Sequence, residues 1–391
     1  MSSAFPYKSS IVITTFPKLA PWLAKEVEAL DYNIEHTSAT EVELSGYMDD
    51  CMRLNMFLRT AGRVLFQIQR FRAADPKELY KRIKAIPWEK YLDNEGYFSI
   101  TSYVRNDRIT DDRFANVRVK DAIADRMVER TGKRPNSGPD KGKTVIHLYW
   151  KDDRVRLYFD TSGQTISKHG YRKHPFKAPM IESLAAGTII AADWDKQSSF
   201  VNPMCGSGTL AIEAALMALN VAPGLLRADD NYGFMHINGY DKEGWEGYRR
   251  LAMLQIKEGI DFKIIASDLS KEALWAAKAN AREAGVEEFI EFYHCDFRET
   301  PMPKENGIVM INPEYGERLG ADKDLEMIYQ AIGDFFKQKC KGYRGYVFTG
   351  NLDLAKRIGL RTKRRIEFLN AKINSRLLTY ELYEGTRKQG R

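Results

Sequence analysis

The chain has 391 residues, 43% hydrophobic and 29% charged, with a formal net charge of +7. At roughly 100–200 residues per domain, that length calls for two or three domains, and the composition is that of a folded globular chain rather than a disordered one. No apolar run reaches the roughly 18 residues of a membrane span and the start, MSSAFPYKSSIVITTF, lacks the apolar core of a secretory signal, so no membrane partner and a cytoplasmic location are expected.

The four cysteines, Cys51, Cys205, Cys295 and Cys340, stand far apart with no C-x-x-C pair. That spacing argues against a disulfide framework and against a zinc site, so reduced thiols and no metal are expected.

In chain order, the first half alternates short pieces of two kinds. SIVITTF reads as a strand, LAPWLAKEVEALD as a helix, EVELSG as a strand, DDCMRLNMFLRT as a helix and RVLFQIQRF as a strand. YFSITSYV precedes the long amphipathic RFANVRVKDAIADRMVERTG, and TVIHLYW and RVRLYFD alternate as strands around the charged turn KDD. The pattern is that of small α+β modules. GKRPNSGPDKGK, residues 132–143, reads as a basic surface loop within reach of RNA. SKHGYRKHPFK (167–177) and KRIGLRTKRR (356–365) concentrate further basic residues. Such clusters suit a polyanion such as RNA, and they fit solvated basic faces equally well.

From about residue 179 the order becomes strand, Gly-rich turn, helix, strand, helix, through SSFVNPMCGSGTLAIEAALMAL, FKIIASDLSKEALWAAKANAREAG, FIEFYHCDF, NGIVMINPEYG, DLEMIYQAIGDFFKQ and GYRGYVFTG. That alternation predicts a doubly wound, mostly parallel sheet. Gly206 and Gly208 fall where a strand hands over to a helix, where backbone can approach a ligand closely and helix N-terminal amides are free. No Lys-Ser/Thr follows and G-x-G-x-x-G is incomplete, which disfavours a nucleotide triphosphate.

Ligands of open α/β sheets bind outside the carboxyl ends of the strands. There IIASDLS supplies Asp268, able to accept from both hydroxyls of a ribose, and FYHCDF supplies Asp296, able to accept from an adenine amine. A dinucleotide site would have its acid about 20 residues after the glycines. Here a Trp- and Tyr-rich insertion, NYGFMHINGYDKEGWEGYRR, intervenes, and its Tyr232, Phe234, Tyr240 and Trp245 are either base-stacking or core residues.

NPMCGSGTLAIEA, SDLS, CDF and NPEYGERL together resemble the motif set of class I S-adenosylmethionine methyltransferases that modify exocyclic amines. RTAGRVLFQIQRF and RLYFDTSGQTISKHGYRKHPFKAPMIESLAAG resemble the ferredoxin-like and THUMP modules of bacterial enzymes that methylate guanine N2 in 23S ribosomal RNA. The resemblance implies a ferredoxin-like module over 1–65, a THUMP RNA-binding domain over 66–165 and a Rossmann-like methyltransferase domain with a seven-stranded sheet over 166–391. It leaves room for a single methyltransferase domain, and the expected cofactor is S-adenosylmethionine. Asn202, Cys205, Gly206, Gly208, Thr209, Asp268, Leu269, Asp296, Phe297 and Asn312 are the cofactor-binding candidates.

An exocyclic amine is a poor nucleophile because its lone pair is delocalised into the ring. Two acceptors on its N–H groups hold the nitrogen in line and favour the geometry of the transition state. The side-chain oxygen of Asn312 and the carbonyl of Pro313 are suited to that task, and Tyr315 to stacking on a base drawn out of its helix. Two positions depart from the family pattern: Glu314 replaces a second proline, and Asn202 replaces an aspartate that would face the cofactor's ammonium. Glu314 is either a further acceptor for the guanine edge or a solvated carboxylate. Tyr171, Arg172 and His174 either line the entrance or pack as linker residues, and His294 is expected to be structural. Adenine N6, tRNA guanine N2, a protein glutamine amide and a non-catalytic ribosome-assembly role remain alternatives.

Overall fold

The structure is a computed structural model that describes residues 5–106, 111–177, 179–227, 229–314 and 322–383. The chain divides into two compact units, one of Met1–Thr15, Leu23–Ser167 and Pro223–Leu254, the other of Phe16–Trp22, Lys168–Ala222 and Gln255–Arg391.

The first unit is built from β1 (Ser9–Thr14), most of α1 (Ala20–Ala29), β2 (Ile34–Thr37), β3 (Glu41–Gly46), α2 (Met48–Phe57), β4 (Arg63–Arg72), α3 (Pro76–Lys84), β5 (Tyr97–Arg105), α4 (Asp112–Thr131), β6 (Asn136–Ser137), β7 (Thr144–Lys151) and β8 (Arg154–Asp160). Its strands make one sheet in the order β2-β3-β1-β4-β8-β7-β5-β6. β4 joins the two modules read from the sequence: Arg63 to Phe66 pair with β1, and Leu65 to Arg72 pair with β8 across a bulge between Gln67 and Gln69. The limit expected between residues 65 and 66 therefore falls inside a strand.

Alternation sets the two faces of this sheet. In β7, Ile146, Leu148 and Trp150 are buried at 1% exposure or less, whereas Tyr149 is half-buried and Lys151 exposed on the other face. Helix ends follow their capping residues. Asp75 accepts from the amides of Lys77 and Glu78 with Pro76 opening α3, and α4 stops at Gly132, whose φ is 72°.

The second unit starts with α5 (Glu182–Ala191), β9 (Ser199–Pro203) and α6 (Thr209–Ala218). The chain then leaves it, since the stretch containing α7 (Lys242–Leu254) groups with the first unit. In that stretch Tyr232, Phe234 and Trp245 are at most 2% exposed, with ring centroids 4.9 to 5.2 Å apart, and Tyr240 packs on Phe234. The insertion aromatics are core, not base-stacking platforms.

The second unit resumes with β10 (Ile264–Asp268), α8 (Lys271–Glu283), β11 (Ile290–His294), β12 (Gly307–Ile311), α9 (Asp322–Gln338), β13 (Arg344–Thr349), α10 (Leu352–Lys356), β14 (Arg364–Asn370) and β15 (Ile373–Glu381). The seven-stranded sheet runs β11-β10-β9-β12-β13-β15-β14, parallel from β11 to β13, with β15 antiparallel to both of its neighbours. β9 and β12, SFVNP and GIVMI, are buried at every position, as central strands covered on both faces must be. On one side α9 supplies Tyr329, Ile332, Phe335 and Phe336 to a core shared with Val309, Ile311 and Val347. After β9 the chain builds outward through β10 and β11, then returns to lay β12 on the other side of β9. That reversal opens a crevice at the carboxyl ends of β9 and β12.

Candidate active site

The turn after β9 is shaped by two glycines. Gly208 has φ +80° and caps α6; a Cβ there would stand 2.9 Å from the Cβ of Ala277, so its absence lets α6 lie close to α8. Gly206 has φ +56° and a Cβ there would meet nothing within 4 Å, so the turn faces open space. The Gly206 amide donates to Asp268 Oδ2 at 2.9 Å, and the Ser270 amide donates to Asp268 Oδ1 at 2.9 Å. Asp268 thus fixes the turn to the end of β10. A carboxylate has about four acceptor positions, so two remain for a pair of hydroxyls. Burial and the nearby Asp268 charge push the Cys205 thiol well above its ordinary range, which keeps it a neutral packing group.

At the crevice stand two amides. Asn202, 1% exposed, donates through Nδ2 to the Met310 carbonyl at 2.9 Å, bridging β9 and β12. Its Oδ1 and the Oδ1 of Asn312 are both buried with no hydrogen-bond partner. Unpaired buried acceptors cost roughly 1–3 kcal/mol each. Two of them at neighbouring strand ends leave the crevice short of donors, and an ammonium and an amine are the complementary groups. Asn202 fits its surroundings better than an aspartate would, because a carboxylate cannot donate to the Met310 carbonyl.

Leu269, 68% exposed, follows Asp268 and presents an apolar side chain at the end of β10. Asp296 accepts from the Arg298 amide, Nε and Nη2 at 2.9, 2.8 and 2.7 Å, and the Arg298 guanidinium holds its carboxyl below the usual range. One acceptor position is left for an adenine amine. Phe297 packs edge-on to Phe335 at 5.9 Å and supports this corner from the core. His294, exposed, meets the Leu269 carbonyl at 3.0 Å. Pro313 is buried, Glu314 is 70% exposed and pairs with Lys177 at 3.3 Å, and Tyr315 lies outside the described residues.

Behind the turn lies a buried polar network. Glu213 Oε1 receives the Tyr171 hydroxyl at 2.9 Å and lies 2.8 Å from His169 Nδ1; all three residues are at most 2% exposed. Arg172 donates to the Met180 carbonyl and to Thr209 Oγ1 at 3.1 Å, and it pairs with Glu182 at 3.4 Å. Burial raises the Glu182 carboxyl and the Tyr171 hydroxyl. Asn280, fully buried on α8, accepts from the amides of Lys173 and His174 and donates to the carbonyls of His174 and Ser207. The segment from His169 to His174 is therefore a strap holding the turn, not an open basic arm. Sequence reasoning missed Glu182, Glu213 and Asn280. The signal was there: TLAIEAALMA has one acid and no polar face, so its glutamate has to be buried with partners.

The second basic cluster is largely neutralised. Lys356 pairs with Asp353, Arg357 with Glu326, Lys363 with Glu381 and Arg364 with Asp193. At the exposures of these pairs they are surface bridges. Among the described residues no group of His, Cys, Asp and Glu is arranged to hold a metal, and no helix is long and apolar enough to cross a membrane.

Residues 169–379 match the family model described as RMKL-like, methyltransferase domain; residues 73–160 match the THUMP domain and residues 10–65 the RlmL ferredoxin-like domain. The chain is 34% identical over 381 residues to the Ribosomal RNA large subunit methyltransferase K/L of Syntrophotalea carbinolica, covering 95% of this chain and 53% of that one. It is 32% identical over 331 residues to slr0064 of Synechocystis sp., covering 85% and 86% of the two chains. The crystal structure of SMU.472 complexed with SAH superposes with a TM-score of 0.87 at 25% identity, over 99% of this chain and 100% of that one. The chain spans about half the length of the K/L relatives it matches. With its THUMP and RlmL ferredoxin-like domains ahead of the catalytic sheet, it belongs to the RMKL-like methyltransferase family.

Proposed function

We propose that the chain methylates the exocyclic N2 amine of a guanine in 23S ribosomal RNA, with S-adenosylmethionine as methyl donor. The observation that carries this reading is the pair of buried, unpartnered amide oxygens on Asn202 and Asn312, at adjacent strand ends beside the open glycine turn. The donor set of the crevice suits the cofactor: Asn202 Oδ1 is assigned to the ammonium, the free acceptor positions of Asp268 to the ribose hydroxyls, Leu269 to an apolar ring face and Asp296 to the adenine amine. Cys205, Gly206, Gly208, Thr209 and Phe297 shape the walls. When bound, S-adenosylmethionine supplies an electrophilic sulfonium methyl.

The chain's own residues then handle the amine. Asn312 Oδ1 accepts one N–H and the Pro313 carbonyl the other, which directs the nitrogen lone pair out of the base plane. Reaching that position requires the base to leave its helix, at a cost of a few kcal/mol, and Tyr315 is assigned to stack on it. With the Glu314 side chain exposed and paired with Lys177, Asn312 and Pro313 are assigned the amine without it. RNA is favoured over other amine carriers by the THUMP domain match and by the naming of the K/L relatives.

The test is mass-spectrometric nucleoside analysis of unmodified 23S ribosomal RNA after incubation with the protein and S-adenosylmethionine. N2-methylguanosine is the expected product. N6-methyladenosine instead, or no methylated nucleoside despite cofactor binding, would overturn the assignment.

A further inference from the structure

The register of the first unit's sheet places four cations side by side. Arg72 on β4 is opposite Arg154 on β8, Arg154 is opposite Lys151 on β7, and Lys151 is beside Arg105 on β5. Laterally paired residues point to the same face of a sheet, so these side chains form one row across four strands. All four are exposed. At about 4.8 Å per strand, the row is about 14 Å long.

The next register position on the same face holds Arg70, Arg156, Tyr149 and Tyr103, with the two tyrosine rings stacked at 5.3 Å and 13°. Acids answer only part of this charge. Arg72 meets Asp153 at 3.2 Å and Arg156 meets Glu43 at 3.5 Å. Glu41 is near Arg156, and Asp152 lies in the β7–β8 turn. No acidic partner stands within ion-pair distance of Arg70, Arg105, Lys151 or Arg154 among the described residues.

Like charges directly opposite one another destabilise a sheet. A fold that sets four in a row carries that cost in its free state, and it is relieved when polyanionic charge lies along the row. We propose that this face is a docking surface for the phosphate backbone of the RNA substrate, with the strand running across β4, β8, β7 and β5 and the Tyr103–Tyr149 pair beside it. The proposal rests on the RNA reading given above and deepens it, assigning the grip to named residues.

The test is a salt titration of RNA binding by fluorescence anisotropy, with the full chain and a fragment of 23S ribosomal RNA. The double variant Lys151→Gln/Arg154→Gln is compared with wild type and with Lys77→Gln/Lys81→Gln, which removes two exposed cations from α3 instead. Each phosphate contact contributes a slope of about 0.9 on the log affinity against log salt plot for duplex and about 0.7 for single strands. The row variant is expected to lose about 1.4 to 1.8 from the slope and to bind more weakly at every salt concentration, while the α3 variant keeps the wild-type slope. The row variant's melting temperature without RNA is expected to equal or exceed that of wild type, because opposed like charges have been removed; a merely structural role would lower it.

An unchanged slope in the row variant, with wild type binding normally, would overturn the docking face and leave the methyltransferase reading standing. Failure of wild type to bind or methylate RNA would overturn both, and nucleoside analysis of the same samples separates the two outcomes.

Discussion

Asn202 illustrates how one side chain couples strand pairing to chemistry. Its Nδ2 ties β9 to β12 while its Oδ1 is left buried without a hydrogen-bond partner. Asn202→Asp exchanges the donor for a second acceptor against the Met310 carbonyl, and the ligand-free protein is expected to lose about 1–3 kcal/mol of stability. Saturating S-adenosylmethionine should shrink that deficit, since the proposed cofactor pose sets its ammonium against the new charge. Thermal melts with and without cofactor check this, and a variant as stable as wild type without cofactor would contradict it. At this level the sequence was informative where chemistry dictates residue type: Gly206, Gly208, Asp268 and Asn312 all stand at strand ends beside the crevice. It was uninformative about pairing. Nothing in the chain order foretold that Arg298 occupies most of Asp296, that Lys177 engages Glu314, or that His169 and Tyr171 converge on Glu213, because those partners are fixed by tertiary packing.

Among the elements, the close approach of α6 to α8 makes a sharp prediction. Gly208→Ala would place a Cβ 2.9 Å from that of Ala277 at a φ of +80°, which an L side chain rarely adopts. Overpacking of this kind costs about 1–3 kcal/mol, and the displaced turn should also weaken cofactor binding. Wild-type values for both in a thermal melt and in calorimetry would refute the packing argument. β7 makes a second. Burial lowers the His147 pKa to about 4, from an ordinary value of 6.5, with Arg63 and Lys141 adding to the effect. The neutral ring is the folded form, so the unfolded chain binds the extra proton between those values. Its contribution is fully present above pH 6.5 and is lost as pH falls through 4, on the order of 3 kcal/mol in total. Denaturant titrations across that window should show His147→Gln losing less stability on acidification than wild type; parallel curves would rule the histidine out. Most elements were legible from the sequence pattern, including the long α4, the short buried β9 and the all-apolar β12. The short α3 and β2 were not, and neither was the sharing of one sheet by two modules, since strand order depends on contacts distant in sequence.

For the whole molecule, the first unit carries most of the RlmL ferredoxin-like and THUMP matches and the second carries most of the methyltransferase-domain match. The THUMP match and the exposed cations of β4, β8, β7 and β5 make RNA binding steeply salt-dependent in expectation, whereas cofactor binding by the second unit should respond little to salt. The proposed methyl-transfer step turns on Asn312. Single-turnover methyl transfer to 23S ribosomal RNA should be measured for wild type and Asn312→Ala, with S-adenosylmethionine affinity determined on the same preparations. The expected result is a transfer rate lowered by at least about 100-fold, the scale of losing one oriented hydrogen-bonding group in a transition state, with cofactor affinity within a few-fold of wild type. Transfer by the variant at the wild-type rate would contradict it.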